Sequence, residues 1–441
     1  MFLLQVGRAG RQITFDMMLQ IANSLKAFHG NVEVSMIQGI DVRGQDVLRA
    51  IIIALRSGWR GPSVLDCAGS NLRDEDCNKL AEALTSRKPP RLSSINACCL
   101  NTHKTLPDIY QLRLSNNEIT QTGVFYLMNS SVTFTNLSLL DLSFNCIGPT
   151  GAAYVSASIQ RCSHIRSLNL SCCAIGSVGL QELSPALAKC SRIEELFLAC
   201  NNIGDTGISA LVQHMSGTTS QISSSFPASL RVLDLSASAT SKTPAGRVVF
   251  WHGSVEADRF DIQRAIHGST ITQCGANLLA QAFLNCPALQ RFRIADNSLG
   301  SSGAAIIMSS LAQKTHVEHV DMTRCDITDG WDFFHHLQFC YELQSLEISG
   351  NHFDAADRIG WTARNPGLGD FANADDMVML SNILPDLRDL REVNLSNVPM
   401  SDTALSALKA SQRRCSRQVI IRVENCSRSA FNTLSFRRTL L

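Results

Sequence analysis

The chain lacks a dominant charge. Its 39 Lys and Arg face 38 Asp and Glu, for a formal net charge of +1. No single-sign field is available to draw nucleic acid or an anionic membrane surface. The basic residues near the C-terminus, Arg428, Arg437 and Arg438, are too sparse to create one. Long apolar runs are also missing: none approaches the roughly 20 residues that span a bilayer. Met1–Leu4 is too short an apolar run for a secretory signal. The expected partners are therefore proteins, with neither nucleic acid nor membrane.

Catalytic and metal-binding signatures are absent as well. The sequence has no phosphate-cradling P-loop, no G-x-G-x-x-G after a strand, no H-E-x-x-H and no C-x-x-C. Nothing marks a nucleophile elbow. His316, Glu318 and His319 come closest to a ligand set, but no second motif completes a metal site. His335–His336 reads as helix surface. No catalytic residue, metal or cofactor is expected, and the chain is not expected to be an enzyme.

What is present is a repeat. Ile109, Leu137, Ile165 and Ile193 stand 28 residues apart, each followed by apolar residues at plus 3, plus 5 and plus 10. One copy reads Leu137-Leu140-Leu142-Asn145-Ile147, with Asn at plus 8. Further openers are Leu230, Leu289, Val317, Leu343, Leu390 and Gln418. The plus 3/plus 5 pair has the period of a strand with one buried face. The Asn amide can bond backbone groups where the chain turns out of that strand. Cys173, Cys325 and Cys426 replace it in other repeats. Gly recurs at plus 14, as in Gly123, Gly151, Gly179, Gly207 and Gly303, and a helical apolar pattern follows it. Each repeat is thus strand, turn and helix, and stacked copies share one core.

Sixteen cysteines might suggest a disulfide framework. Cys162, Cys190, Cys286, Cys340 and Cys415, however, each stand three residues before an opener. Recurrence at one structural position reads as a small buried core residue. Thiols are expected, and hence a reducing, cytoplasmic compartment.

The pattern resembles the leucine-rich repeat family, in its ribonuclease-inhibitor-like subclass. The resemblance implies an α/β solenoid, a horseshoe with parallel strands on its concave face and helices on its convex face. It is regular over 107–441 and degenerate over 1–106. There Phe15–Phe28, Gln45–Leu55 and Asn78–Leu84 read as helices, and Leu92–Leu106 as a compressed repeat. About twelve repeats are expected. Excess spacing places insertions near 216–225, 237–268 and 354–376. Phe250, Trp251 and Trp361 within them are candidate contacts.

Strand alternation turns plus 2, plus 4 and plus 6 towards the concave face. The plus 6 residues, apart from Glu424 in the last repeat, are small and would let a partner approach closely. Candidate binding residues are Arg113, Asp141, Phe144, Asn169, Glu195, Phe197, Asp234, Arg291, Arg293, Asp321 and Glu347. The charged members are expected to set a partner's register. The expected function is a non-enzymatic protein-binding scaffold or adaptor. Members of this repeat class include cytoskeletal and ciliary or flagellar subunits. The rival reading is a GTPase-activating protein resembling the Ran-specific activators, with Arg43 and Arg73 as residues to test. The absence of an acidic C-terminal tail speaks against it.

Overall fold

The computed structural model describes residues 2–6, 15–27, 32–36, 44–56, 64–85, 109–129, 136–215 without 163, 228–237, 270–353 without 285 and 315, and 376–426. The chain divides into two compact units, Met1–Phe197 and Leu198–Leu441.

The first unit carries seven strands: β1 Phe2–Val6, β2 Val32–Met36, β3 Val64–Asp66, β4 Gln111–Arg113, β5 Leu139–Asp141, β6 Ser167–Asn169 and β7 Glu195–Phe197. Each pairs in parallel with the next. A helix follows each of the first six: α1 Phe15–Ala27, α2 Gly44–Arg56, α3 Asp74–Thr85, α4 Gln121–Asn129, α5 Gly148–Ile159 and α6 Gly176–Lys189. The second unit opens with α7 Gly204–Met215. Then come β8 Val232–Asp234, α8 Gln273–Phe283, β9 Arg291–Arg293, α9 Gly300–Lys314, β10 His319–Asp321, α10 Trp331–Leu337 and β11 Ser345–Glu347. It closes with α11 Asp376–Ile383, β12 Glu392–Asn394, α12 Asp402–Arg414 and β13 Ile420–Arg422. Its strands are likewise parallel and in chain order. Each unit is a solenoid of strand–turn–helix repeats.

From β4 onward every strand begins at plus 2 of a repeat, because the apolar plus 3 residue fixes which face goes inward. Leu112, Leu140, Leu168, Leu196, Leu233, Phe292, Val320, Leu346 and Val393 are all buried, as are the openers from Ile109 to Leu390. Each such side chain contributes about 1.5–3 kcal/mol of burial. The final repeat departs slightly: Gln418 is exposed and Val419 takes its buried place.

The plus 8 amides bind successive repeats together. Asn145 Nδ2 donates to the carbonyls of Leu142 (2.9 Å) and of Leu114 in the preceding repeat (2.8 Å), while its Oδ1 accepts from Ile119 N–H (3.1 Å). Asn297 and Asn351 do the same work in the second unit. A thiol reproduces the donor half. Cys173 Sγ meets Leu142 O at 3.2 Å, Cys325 Sγ meets Ile294 O at 3.4 Å and Cys426 Sγ meets Leu395 O at 3.1 Å. The recurring Gly marks where a helix start packs against the previous repeat. A Cβ on Gly275 would lie 2.5 Å from Asp205 Oδ1.

The N-terminal repeats add to the sequence expectation. Phe2–Val6 and Val32–Met36 are strands, paired over five residues, where only the helices that follow them had been placed. β3 pairs directly with β4; the compressed repeat expected at Leu92–Leu106 lies outside the described residues. The expected insertions at 216–225, at 354–376 except Asp376, and at 237–268 except Ala237 also lie outside them, with Phe250, Trp251 and Trp361. Asp376 opens α11 and is buried.

Candidate functional site

The plus 2 and plus 4 side chains of each unit share its exposed strand face. In the first unit the plus 4 column is Arg113, Asp141, Asn169 and Phe197, continued backwards by Asp66 on β3. Three of these residues have a local structural role. Asp66 Oδ1 accepts from Ala68 N–H at 3.1 Å, Asp141 Oδ1 from Ser143 N–H at 3.0 Å and Asn169 Oδ1 from Ser171 N–H at 3.1 Å. Each is an Asx turn that ends its strand. Burial pushes the Asp141 carboxyl above its ordinary pKa, against the Ser143 bonds and the Arg113 guanidinium, which pull it down.

Four candidates on this face remain available to a partner. The Arg113 and Glu195 side chains, both partly buried, form no hydrogen bond or close ion pair among the described residues, although the Arg113 charge acts on Asp141. Phe197 is partly exposed beside Glu195, and Phe144 is partly exposed at the turn after β5. Phe144 is held at φ 56°, a left-handed conformation unfavourable for a bulky side chain, by its N–H bond to Ser171 O (2.9 Å). Ser143 and Ser171 at plus 6 are small and buried, leaving room above them.

The second unit's face is neutralised differently. Arg293 reaches both neighbouring strands: Nη1 lies 3.2 Å from Asp234 Oδ2 and Nη2 lies 3.1 Å from Asp321 Oδ2. Asp234 and Asp321 also accept the amides of Ser236 and Thr323, both at 3.1 Å. Burial raises the Asp234 carboxyl, and Arg293 opposes that rise. For Arg293 burial works to lower the pKa, but Asp234 and Asp321 outweigh it and the guanidinium is held charged. Glu347 accepts from Asn394 Nδ2 at 2.7 Å, and Arg422 pairs with Glu392. Thus Asp234, Arg293, Asp321 and Glu347 bind one another, their own strands or the next strand, and of the candidates on this face Arg291 is exposed without a side-chain partner among the described residues. The expectation that all these charges address a partner is corrected for Arg293. Its side chain is 23% exposed and is committed to two carboxylates.

The sequence had a signal for this, Asp or Asn two residues before a small polar residue, and it was read only as surface charge. Other candidate chemistry resolves as packing. His316 meets Glu342 at 2.7 Å, and among the described residues no cluster of three or more His, Cys, Asp or Glu could hold a metal. Arg73 is engaged by Glu118 at 2.9 Å; Arg43 lies outside the described residues. The fourteen described cysteines are free thiols. Burial pushes Cys162 and Cys190 up to about 11, and Cys286 and Cys340 up to about 12, which makes them poor nucleophiles. No described helix is long and apolar enough to cross a membrane.

The repeat geometry has a counterpart among known proteins. The Leucine Rich repeat family model matches residues 135–156, 161–184, 189–212 and 313–330. Among solved structures, the chain is similar to an internalin from Listeria monocytogenes, with 14% identity and a TM-score of 0.32, over 72% of this chain and 76% of that one. No curated protein matches.

Proposed function

We propose that this chain is a non-enzymatic scaffold that binds a partner protein on its strand face. The observation that carries the reading is on the first unit. Phe197 and Phe144 are partly exposed there, over a floor of small buried Ser side chains. On the same face the Glu195 side chain has no hydrogen-bond or ion-pair partner among the described residues, and Arg113 acts on Asp141 without bonding it. An apolar anchor ringed by unsatisfied polar groups is the usual composition of a binding hot spot. The left-handed φ of Phe144 belongs to the repeat's turn, since Asn116, Cys172 and Cys200 share it at the same place, so what distinguishes this position is the aromatic ring it presents.

The finer identity is also part of the proposal. The 28-residue period with one helix per repeat favours the ribonuclease-inhibitor-like subclass. Free thiols favour a reducing compartment, the cytoplasm; assembly on the cytoskeleton or in a cilium or flagellum rests on the resemblance to the repeat class alone. The GTPase-activating alternative gains nothing from Arg73, whose guanidinium Glu118 already holds. The test is cross-linking of the full chain to a partner recovered under native conditions, with the linked residues mapped. Links concentrated at the plus 2 and plus 4 columns support the scaffold reading. Links confined to α4, α5 and α6 contradict it.

A further inference from the structure

On the second unit most strand-face charge is used internally, and what is left over from β9 to β12 is two arginines, Arg291 and Arg391, against one carboxylate, Glu318. The plus 2 column runs Arg291, His319 and Ser345 across three adjacent strands in register. Arg291 is exposed, and so is Arg391, which immediately precedes β12, the next strand along. Neither guanidinium makes a hydrogen bond or ion pair among the described residues. Asp234 and Asp321 are held by Arg293, and Glu392 is held by Arg422, so these carboxylates do not neutralise them. β9 and β12 are about 14 Å apart at the usual spacing, and Arg391 stands one residue before Glu392, the β12 member of the plus 2 column. Two extended Arg side chains can therefore converge on the half-buried His319 between them.

Both arginines act on that imidazole. Burial lowers the His319 pKa, Arg291 and Arg391 both lower it further, and only Glu318 opposes them. The ring is thus biased towards its neutral form, in which one nitrogen donates and the other accepts. An oxyanion placed between the two arginines would meet two guanidinium forks, the His319 ring and the Ser345 hydroxyl. Guanidinium forks match carboxylate and phosphate geometry.

We infer that Arg291, His319, Ser345 and Arg391 form a subsite for an acidic peptide segment of the partner, taking a carboxylate or phosphoserine oxyanion. This rests on the scaffold reading above and gives the partner's chemistry at one place on the strand face. It requires no covalent step and no metal.

Fluorescence anisotropy with the full chain tests it. The probes are labelled oligo-glutamate, a phosphoserine-containing peptide, oligo-lysine and single-stranded oligothymidylate, at low and high salt. The acidic peptides are expected to bind and oligo-lysine is not. Comparison of the two acidic arms tells which oxyanion the subsite prefers. Arg291→Gln and Arg391→Gln should each weaken acidic-peptide binding about tenfold, the loss of one charge-assisted hydrogen-bonded contact. Lys409→Gln makes the same charge change on exposed α12 and should alter affinity by less than about twofold. An equal loss in Lys409→Gln overturns the inference, because the attraction is then unspecific. Failure of both acidic peptides to bind also overturns it. Tighter arginine-dependent binding of oligothymidylate reassigns the subsite to nucleic acid and overturns the peptide assignment. In each of these cases partner cross-links to the strand face would leave the scaffold reading standing. Cross-links confined to the helices would remove that reading itself.

Discussion

Arg293 and Asp234 lie 59 residues apart in sequence and 3.2 Å apart in space, on neighbouring strands of the second unit. The Asp234 side chain is 3% exposed, so its charge depends on that guanidinium. Removing one partner of a buried pair leaves an uncompensated charge, at a cost of about 3–5 kcal/mol. Arg293→Ala should therefore lower the midpoint of urea unfolding by a corresponding amount. A loss under about 1 kcal/mol would mean that the pair is solvated and Arg293 is free to serve a partner.

Asp141 gives the opposite sign. Its carboxyl has a raised pKa in the folded state, chiefly because it is buried. A raised folded pKa means the protonated form is favoured, so this group's contribution to stability is fully present below the ordinary value of 3.8 and is lost as pH rises through the folded value. Asn169 fills the same column one repeat later and closes the same turn without a charge. Asp141→Asn should thus stabilise the protein at pH 7, and the gain should vanish as pH falls below 3.8. Denaturation across that range checks it; a gain independent of pH would remove burial of charge as the cause.

Phe144 should trade stability for binding. Its φ of 56° costs about 1–2 kcal/mol in a non-glycine residue. Asn116 adopts the same conformation, φ 54°, one repeat earlier. Phe144→Asn should raise the melting temperature slightly while weakening the partner complex. A marked fall in melting temperature would show that the ring is part of the core instead.

Leu170 tests the stacking itself. It is fully buried, and its amide bonds to Phe197 O at 2.9 Å in the next repeat. Leu170→Ala should cost about 2–5 kcal/mol. Because repeats support their neighbours, amide protection should fall at Leu142 and along Glu195–Phe197 as well. Unchanged exchange there would contradict nearest-neighbour coupling.

These residues also show where the sequence was legible. The Leu at plus 3, the Asn at plus 8 and the recurring Gly are fixed by burial, backbone satisfaction and close approach, and each of these constraints repeats. They could therefore be read by counting. Strands Phe2–Val6 and Val32–Met36 were missed because no plus 8 Asn marks their turns and the spacing there is irregular. The strand face was legible as a face but not as a network. Nothing in the spacing of Asp234, Arg293 and Asp321 tells whether a side chain bonds its neighbour, its own turn or a partner. That outcome depends on which groups the folded strands bring into reach. The Asx turns were readable in principle, from Asp141-x-Ser143 and Asn169-x-Ser171, but charge drew the reading instead.

The most direct test of the strand-face account is the affinity of the recovered partner for three proteins: the native chain, Phe197→Ala, and a chain lacking 238–269. The account predicts that Phe197→Ala weakens binding by about 2 kcal/mol or more, roughly thirtyfold, while the deletion has a smaller effect. Undiminished binding by Phe197→Ala, together with its abolition in the deleted chain, would contradict the account and place the partner on the inserted segment.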